Sequence, residues 1–172
     1  MPSSMFVDLR RVGDVSAYGG SCHVDLQGGP MRSFEELATR LVGTWDTQGS
    51  HALLPGDAIT GRATFEWLDG HTFLIWRSHH DHPQIPDAIA IIGWIDDQLL
   101  MHYFDHRGVH RTYEVAVEDN QWRYWRDDPG FQQSVVVRCG SDEDTMIAQG
   151  RMNRDDAGWE DDLALTYRRS PG

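Results

Sequence analysis

The chain has 172 residues, enough for one domain with a sizeable core, and its 40% hydrophobic and 24% charged residues are ordinary for a globular protein. Its formal net charge of −12 argues against nucleic acid and anionic membranes as partners, because binding to both depends on Lys and Arg. The longest apolar run, 88–95, is far shorter than the roughly 20 residues of a membrane-spanning helix.

The first 30 residues differ in composition from the rest. They are rich in Gly and Ser, show no sustained period of 2 or 3.6, and end in Gly-Gly-Pro. They also lack the continuous apolar segment of a signal peptide. We therefore expect residues 1–30 to be a poorly ordered extension, and residues 31–172 to form the folded domain.

A short helix is predicted directly after this segment. Ser33 and Glu36 have the spacing of a capping box, with Ser33 as the N-cap. Apolar residues then recur at helical spacing: Phe34, Leu37, Ala38 and Leu41. Gly43 is expected to end the helix, which is too short to be a core and is predicted to cap one.

The rest of the chain alternates short strand patterns with turn residues. Asp69-Gly70 is the strongest hairpin signal. The predicted strands are 43–51, 58–68, 71–79, 88–95, 99–105, 109–117, 121–126, 131–139, 145–152 and 159–169. Because no segment between them is long enough for a parallel crossover, neighbours must pair antiparallel. Closing such a sheet removes both edges, so we predict an all-β fold: a ten-stranded up-and-down barrel wide enough for a ligand.

Two sequence motifs carry a family resemblance. "LVGTW" after a short helix, with a final "LTYRR", resembles the calycin group of lipocalins, fatty-acid-binding proteins and nitrobindins. The longer pattern "YFDHRGVHRTYE…WRYWRDDPGFQQ…WEDDLALTYRR" is more similar to a bacterial lipocalin-like family of largely unassigned function. The resemblance covers roughly residues 35–169 and implies a barrel that binds small molecules.

The stretch "RSHHDHP", residues 77–83, has the composition of a metal site. On a strand, however, the consecutive residues His79 and His80 point to opposite sides of the barrel wall. Asp81 and His82 then fall in the loop at the rim. Zinc needs three or four converging ligands, so we predict no metal here, with His79 facing the cavity.

Haem is the cofactor that the nitrobindin resemblance would imply. In that family the proximal histidine lies on the last strand, and the matching position here is Asp162. No histidine follows His110, and a different ligand such as His102 would be needed. We therefore expect no cofactor.

Several polar residues alternate with apolar ones and are predicted to face inward. They are Arg77 and His79, Arg111 and Tyr113, and Asp161 and Tyr167. A buried Arg needs an anionic partner, which could be Asp161, Asp105, a carboxylate ligand or ordered water. A purely structural polar network is the alternative. Fatty-acid-binding proteins hold a carboxylate with an inward Arg and Tyr, which resemble these residues in type only.

Two strands leave open questions. In "LLMHYFD" either Leu100, His102 and Phe104 or Leu99, Met101, Tyr103 and Asp105 face inward. Trp94 shares a strand with small residues and is a candidate ligand contact, whereas Trp45 is expected to be structural.

These observations favour a barrel that binds a small hydrophobic molecule, anionic or aromatic, through Arg77, Trp94, Arg111, Tyr113, Asp161 and Tyr167. The alternative is a cofactor-free isomerase, cyclase or lyase. In it His79 or His102 would act as acid or base with Asp105 or Asp161, and Arg111 and Tyr113 would stabilise an anionic intermediate. A structural module is the third hypothesis. Two cysteines are too few for a disulfide framework and favour a cytoplasmic location, and a homodimer is left open.

Overall fold

The computed structural model describes residues 30–118 and 120–171. Within them lie one helix and ten strands: α1 Pro30–Leu41, β1 Gly43–His51, β2 Ile59–Trp67, β3 Phe73–His80, β4 Ala88–Ile95, β5 Gln98–Asp105, β6 His110–Glu118, β7 Gln121–Asp128, β8 Phe131–Cys139, β9 Thr145–Arg154 and β10 Trp159–Arg169. The predicted extension, 1–30, falls outside the described residues except for Pro30, which begins α1.

The strands form a closed barrel in which each pairs antiparallel with its chain neighbours, and β1 pairs with β10. The predicted fold class is therefore confirmed. The tight connections follow from the turn residues: Asp96 and Asp97, for example, have φ of 48° and 64°. Positive φ at both central residues is the two-residue hairpin turn that matches strand twist.

The helix begins earlier than the sequence predicts. It starts at Pro30, a residue favoured in the first turn of a helix, so the prediction of Ser33 as N-cap is wrong. The apolar spacing is confirmed, because Phe34, Leu37, Ala38 and Leu41 are all buried. No helix among the described residues is long and apolar enough to cross a membrane.

The helix closes one end of the barrel, the end at which β1 begins. Phe34 packs edge-on against Trp67 with ring centroids 6.1 Å apart. Trp45 is 1% exposed, and its Nε1 donates to the Leu41 carbonyl oxygen at 2.8 Å. Trp45 thus has the structural position expected of it.

Arg169, on the last strand, fastens the helix to the barrel. Its guanidinium donates to the carbonyl oxygens of Arg40 and Val42 at 2.8 and 2.9 Å, which the end of α1 leaves without helical partners. Its Cζ lies over the indole of Trp45, 4.2 Å from the ring centroid. Gly43 has φ of 132°, which residues with a side chain rarely adopt, and a Cβ there would also lie 2.8 Å from Nη1 of Arg169.

Candidate functional site

A cavity of about 410 Å³ occupies the barrel at the end opposite α1. It is lined by His51 at the end of β1, by the loop residues Leu53 and Leu54, and by the loop 84–86 between β3 and β4. Pockets of 300–1,000 Å³ are the size that holds small molecules. The cavity is therefore the candidate functional site.

Aromatic rings form much of the cavity wall. They are Trp76, Tyr103, Tyr113, Tyr124, Phe131 and Tyr167. Tyr113 meets Tyr124 edge-to-face at 5.5 Å, and Trp76 meets Tyr124 in the same way at 6.1 Å. Burial raises the pKa of Tyr124 and of Tyr167 well above the ordinary value. These rings thus give the wall an apolar surface with neutral hydroxyl groups.

Arg111 is the cavity arginine that lacks a carboxylate partner. Arg107 pairs with Asp105 at 2.6 Å and Arg154 with Glu160 at 2.7 Å. Arg111 instead stacks over Phe131, with Cζ 4.1 Å from the ring centroid. Among the described residues, no carboxylate lies within ion-pair distance of it. Arg111 therefore lines the cavity without an ion-pair partner among the described residues.

A chain of hydrogen bonds crosses the cavity wall and ends at Asp162. The Tyr113 hydroxyl donates to Oε1 of Gln133 at 2.6 Å, and Nε2 of Gln133 donates to Oδ2 of Asp162. Nε2 of His51 lies 3.0 Å from Oδ1 of the same carboxylate. The Asp162 side chain is 6% exposed, so the chain places a buried carboxylate at the cavity.

Two further cavity groups have polar atoms without a partner. Nε1 of Trp76 and Nδ1 of His80 are buried and meet no hydrogen-bonding atom of the described residues. Burial lowers the pKa of His80, against an opposing effect of Asp87. These atoms are available to a bound molecule.

The predicted orientation of Arg77 and His79 is wrong. On β3 the inward set is Leu74, Trp76, Ser78 and His80, and the outward residues Arg77 and His79 are exposed. Arg77 pairs with Glu66 on the neighbouring strand. The alternation misled because both faces of β3 carry apolar residues: Phe73 faces outward and covers Gly93, its cross-strand partner.

His79 is held outside the barrel by carboxylates. Its Nδ1 lies 2.8 Å from Oδ2 of Asp87, and its Nε2 lies 3.6 Å from Oδ1 of Asp81. The hydrogen bond and the charge of Asp87 raise the pKa of His79. His79 is therefore not placed to act on a molecule in the cavity.

On β5 the structure selects one of the two faces left open by the sequence. Leu99, Met101, Tyr103 and Asp105 face inward. His102 faces outward, where it stacks on His110 at 5.7 Å, so its predicted catalytic role has no access to the cavity. Asp105 is buried, and although burial alone would raise its pKa, hydrogen bonds from Arg107 and from the Val109 N–H hold that pKa below its usual value. The Asp105 carboxylate is thus hydrogen-bonded to the loop at the barrel rim and is not free to bind a ligand.

Trp94 lies at the closed end of the barrel. It pairs with Leu99 at the turn between β4 and β5 and packs against the core there. Trp94 is not among the residues that line the cavity, so its role as a ligand contact stays a prediction without support from this position.

A β-bulge in β10 exchanges the roles of Asp161 and Asp162. Asp161 pairs with Arg151 and Ala164 pairs with Gln149, so Asp162 and Leu163 together oppose the single residue Gly150. Asp161 is consequently exposed, and the prediction that it faces inward is wrong. Asp162 turns inward instead. Gly150 leaves the necessary room, since a Cβ there would lie 3.2 Å from Cβ of Asp162.

Arg111, Tyr113 and Tyr167 do line the cavity, as the alternation along β6 and β10 predicts. Their role as ligand contacts stays a prediction. Residues that the sequence argument missed are His51, His80, Gln133 and Asp162. Every second residue from the buried Trp45 faces inward, which places His51 inside, and the same rule counted back from Val137 and Val135 places Gln133 inside. The sequence therefore contained the pattern that predicts both residues.

The three histidines of "RSHHDHP" point in three directions. His79 faces outward, His80 lines the cavity, and His82 lies in the loop with Nε2 3.4 Å from Oδ2 of Asp57. Among the described residues no group of three or more His, Cys, Asp or Glu is arranged to hold a metal ion. At the position where the nitrobindin resemblance would require an imidazole, the Asp162 carboxylate is already bound by His51 and Gln133. The residue present does not fit that role.

Comparison with known proteins supports the architecture. The chain is similar to a solved structure, Rv2717c from M. tuberculosis, with a TM-score of 0.59 covering 81% of this chain and 98% of that one at 12% sequence identity. At this identity the likeness shows the fold alone. No protein-family model matches the chain, and no curated protein matches it either.

Proposed function

We propose that this protein binds a small aromatic anion inside the barrel. The observation that carries the proposal is Arg111, a cavity arginine with no carboxylate partner among the described residues, set beside a wall of aromatic rings. Arg111 is partly buried, and a cation that has lost part of its water is stabilised by an anion beside it. An aromatic anion would supply both the missing charge and the apolar surface.

The cavity dimensions agree with this ligand class. About 410 Å³ accommodates a molecule of one to three rings rather than a long chain or a macromolecule. The rings of Trp76 and Phe131 offer stacking surfaces, and the unpaired Trp76 N–H offers one donor. Affinity should come from the rings, and the choice of an anion should come from Arg111.

The test compares two dyes that share one aromatic frame. 8-Anilinonaphthalene-1-sulfonate carries a sulfonate, and N-phenyl-1-naphthylamine is the same molecule without it. The wild-type protein should bind one sulfonated dye per chain, measured by its fluorescence. In Arg111→Met the loss of a charge-assisted contact worth about 1.5–3 kcal/mol should weaken that binding about tenfold to a hundredfold. The affinity of this variant for the neutral dye should fall by less than about threefold.

Arg123→Met is the matched control. Arg123 also stacks on an aromatic ring, with Cζ 4.2 Å from the Trp125 centroid, but it is exposed on the outside of the barrel. Its removal deletes the same charge and the same kind of contact, so the affinity for both dyes should be unchanged. The proposal would be contradicted if Arg111→Met reduced the affinity for the two dyes equally and Arg123→Met did the same.

We propose, in addition, that the chain is related to the calycin group. A closed ten-stranded barrel with a helix at one end supports the resemblance to the calycin group, whose members bind small molecules in the barrel. The catalytic alternative, as drawn from His79 and His102, loses its residues because both histidines face away from the cavity. A cytoplasmic location and a homodimer stay predictions.

A further inference from the structure

Asp162 is a buried carboxylate whose partners in the wall are neutral. Nδ1 of His51 accepts the Leu53 N–H at 3.1 Å, so the ring proton lies on Nε2 and faces Asp162. Oε1 of Gln133 accepts the Tyr113 hydroxyl, so the amide N–H of Gln133 also faces Asp162. Both donors orient the carboxylate without supplying a positive charge.

Such an arrangement leaves Asp162 available to a ligand. Each carboxylate oxygen keeps a second lone pair after accepting one hydrogen bond. Among the described residues, no Lys or Arg lies within ion-pair distance of Asp162. A carboxylate that lines a cavity within hydrogen-bonding reach of a bound molecule can act as a general base.

Donors without partners lie on the same cavity. Nε1 of Trp76 is buried and unpaired. Tyr167 lines the same cavity, and burial raises the pKa of its hydroxyl, which is therefore neutral. An oxygen that becomes negative inside the cavity would find neutral N–H and O–H donors there, which is how enzymes stabilise an oxyanion.

The geometry points to Asp162 as a general base that catalyses keto–enol proton transfer in an aromatic 2-oxo acid, a conclusion that rests on the proposed binding function. Each part of this substrate class has a counterpart in the cavity. The carboxylate matches Arg111, the ring matches the aromatic wall, and the keto oxygen matches the donors of Trp76 and Tyr167. The acidic C–H beside the ketone matches Asp162.

The step balances without a cofactor. An oxygen of Asp162 takes the proton from the carbon next to the ketone, and the C–H electron pair becomes the C=C bond of the enolate. The π pair of the ketone moves onto its oxygen, which accepts hydrogen bonds from the neutral donors. The Asp162 O–H exchanges its proton with solvent and then protonates that carbon, or water protonates the enolate oxygen and the hydroxide so formed takes up the proton of Asp162.

The experiment uses phenylpyruvate in D₂O and follows deuterium incorporation at its benzylic carbon by NMR. Wild-type protein should accelerate the exchange above the buffer rate. Because a general base contributes about 10²–10⁴ in rate, Asp162→Asn should reduce the catalysed rate by about 10²-fold or more. Asp161→Asn is the matched control: it removes a neighbouring charge from the exposed face, and it should exchange at the wild-type rate.

A second variant covers the case in which Asp162→Asn fails to fold. Tyr167→Phe removes one hydroxyl and keeps the ring, so the barrel should melt as wild type does while the exchange rate falls by about 10²-fold. Binding of the sulfonated dye separates the two proposals. Dye binding without accelerated exchange, or exchange that survives in both variants, would overturn the catalytic inference and leave the binding function standing. Absence of dye binding would instead remove the binding function on which the inference rests.

Discussion

Replacing Arg169 by Met should detach α1 from the end of the barrel. The change removes hydrogen bonds to the carbonyl oxygens of Arg40 and Val42, at 2.8 and 2.9 Å, and the contact with the Trp45 ring. The ion pair with Asp144 adds little, since Asp144 is 68% exposed. Charge-assisted bonds are worth about 1.5–3 kcal/mol when buried, and the Arg169 side chain is 30% exposed.

Counting each of the two bonds at about 1 kcal/mol and the cation–π contact at roughly 0.5–1 kcal/mol, the loss should be about 2.5–3 kcal/mol. A chain of this size loses about 2–4 °C in Tm per kcal/mol, so the Tm should fall by about 5–12 °C. Thermal unfolding followed by circular dichroism measures this shift, and hydrogen exchange should show faster exchange of the α1 amides. Arg168→Met, which alters the exposed neighbour, is the control. A shift below about 2 °C, or one equal to that of the control, would refute the reasoning.

Adjacent histidines should titrate on opposite sides of the ordinary pKa of 6.5, seen by NMR of labelled imidazoles: His79 above it because of Asp87, and His80 below it because of burial. His80 therefore contributes stability that is present above pH 6.5 and is lost as the pH falls, and His80→Phe should flatten the acid limb of the stability curve; an unchanged limb would contradict this. Protein purified without a tag should carry no stoichiometric zinc or iron, because His79, His80 and His82 point apart. One equivalent of either metal by elemental analysis would contradict this prediction. In an alkaline titration, phenolate absorbance through pH 10 should account for no more than one of the five tyrosines, and more would mean that the cavity wall is wet. The four with a raised pKa are Tyr103, Tyr113, Tyr124 and Tyr167.

The fold followed from the sequence because turn residues and alternation agree along nearly the whole chain. Tight turns such as Asp96-Asp97 left room only for antiparallel pairing, and ten antiparallel strands close to remove their edges. On β6, where one face alone is apolar, the same alternation placed Arg111 and Tyr113 inside.

The site was predicted only in part, for two physical reasons. On β3 both faces are apolar, so the pattern does not distinguish them, and Arg77 and His79 were assigned to the wrong one. On β10 a bulge shifts the phase by one residue between Asp161 and Asp162. A lone glycine within a strand, here Gly150, is the sequence sign of a bulge or of close backbone approach.

The most direct measurement of the central claim is the crystal structure of the protein with 8-anilinonaphthalene-1-sulfonate. The account predicts one dye molecule inside the barrel, with its rings against Trp76 or Phe131 and a sulfonate oxygen about 2.7–2.9 Å from the Arg111 guanidinium. A dye bound outside the barrel, or one inside whose sulfonate avoids Arg111, would contradict it.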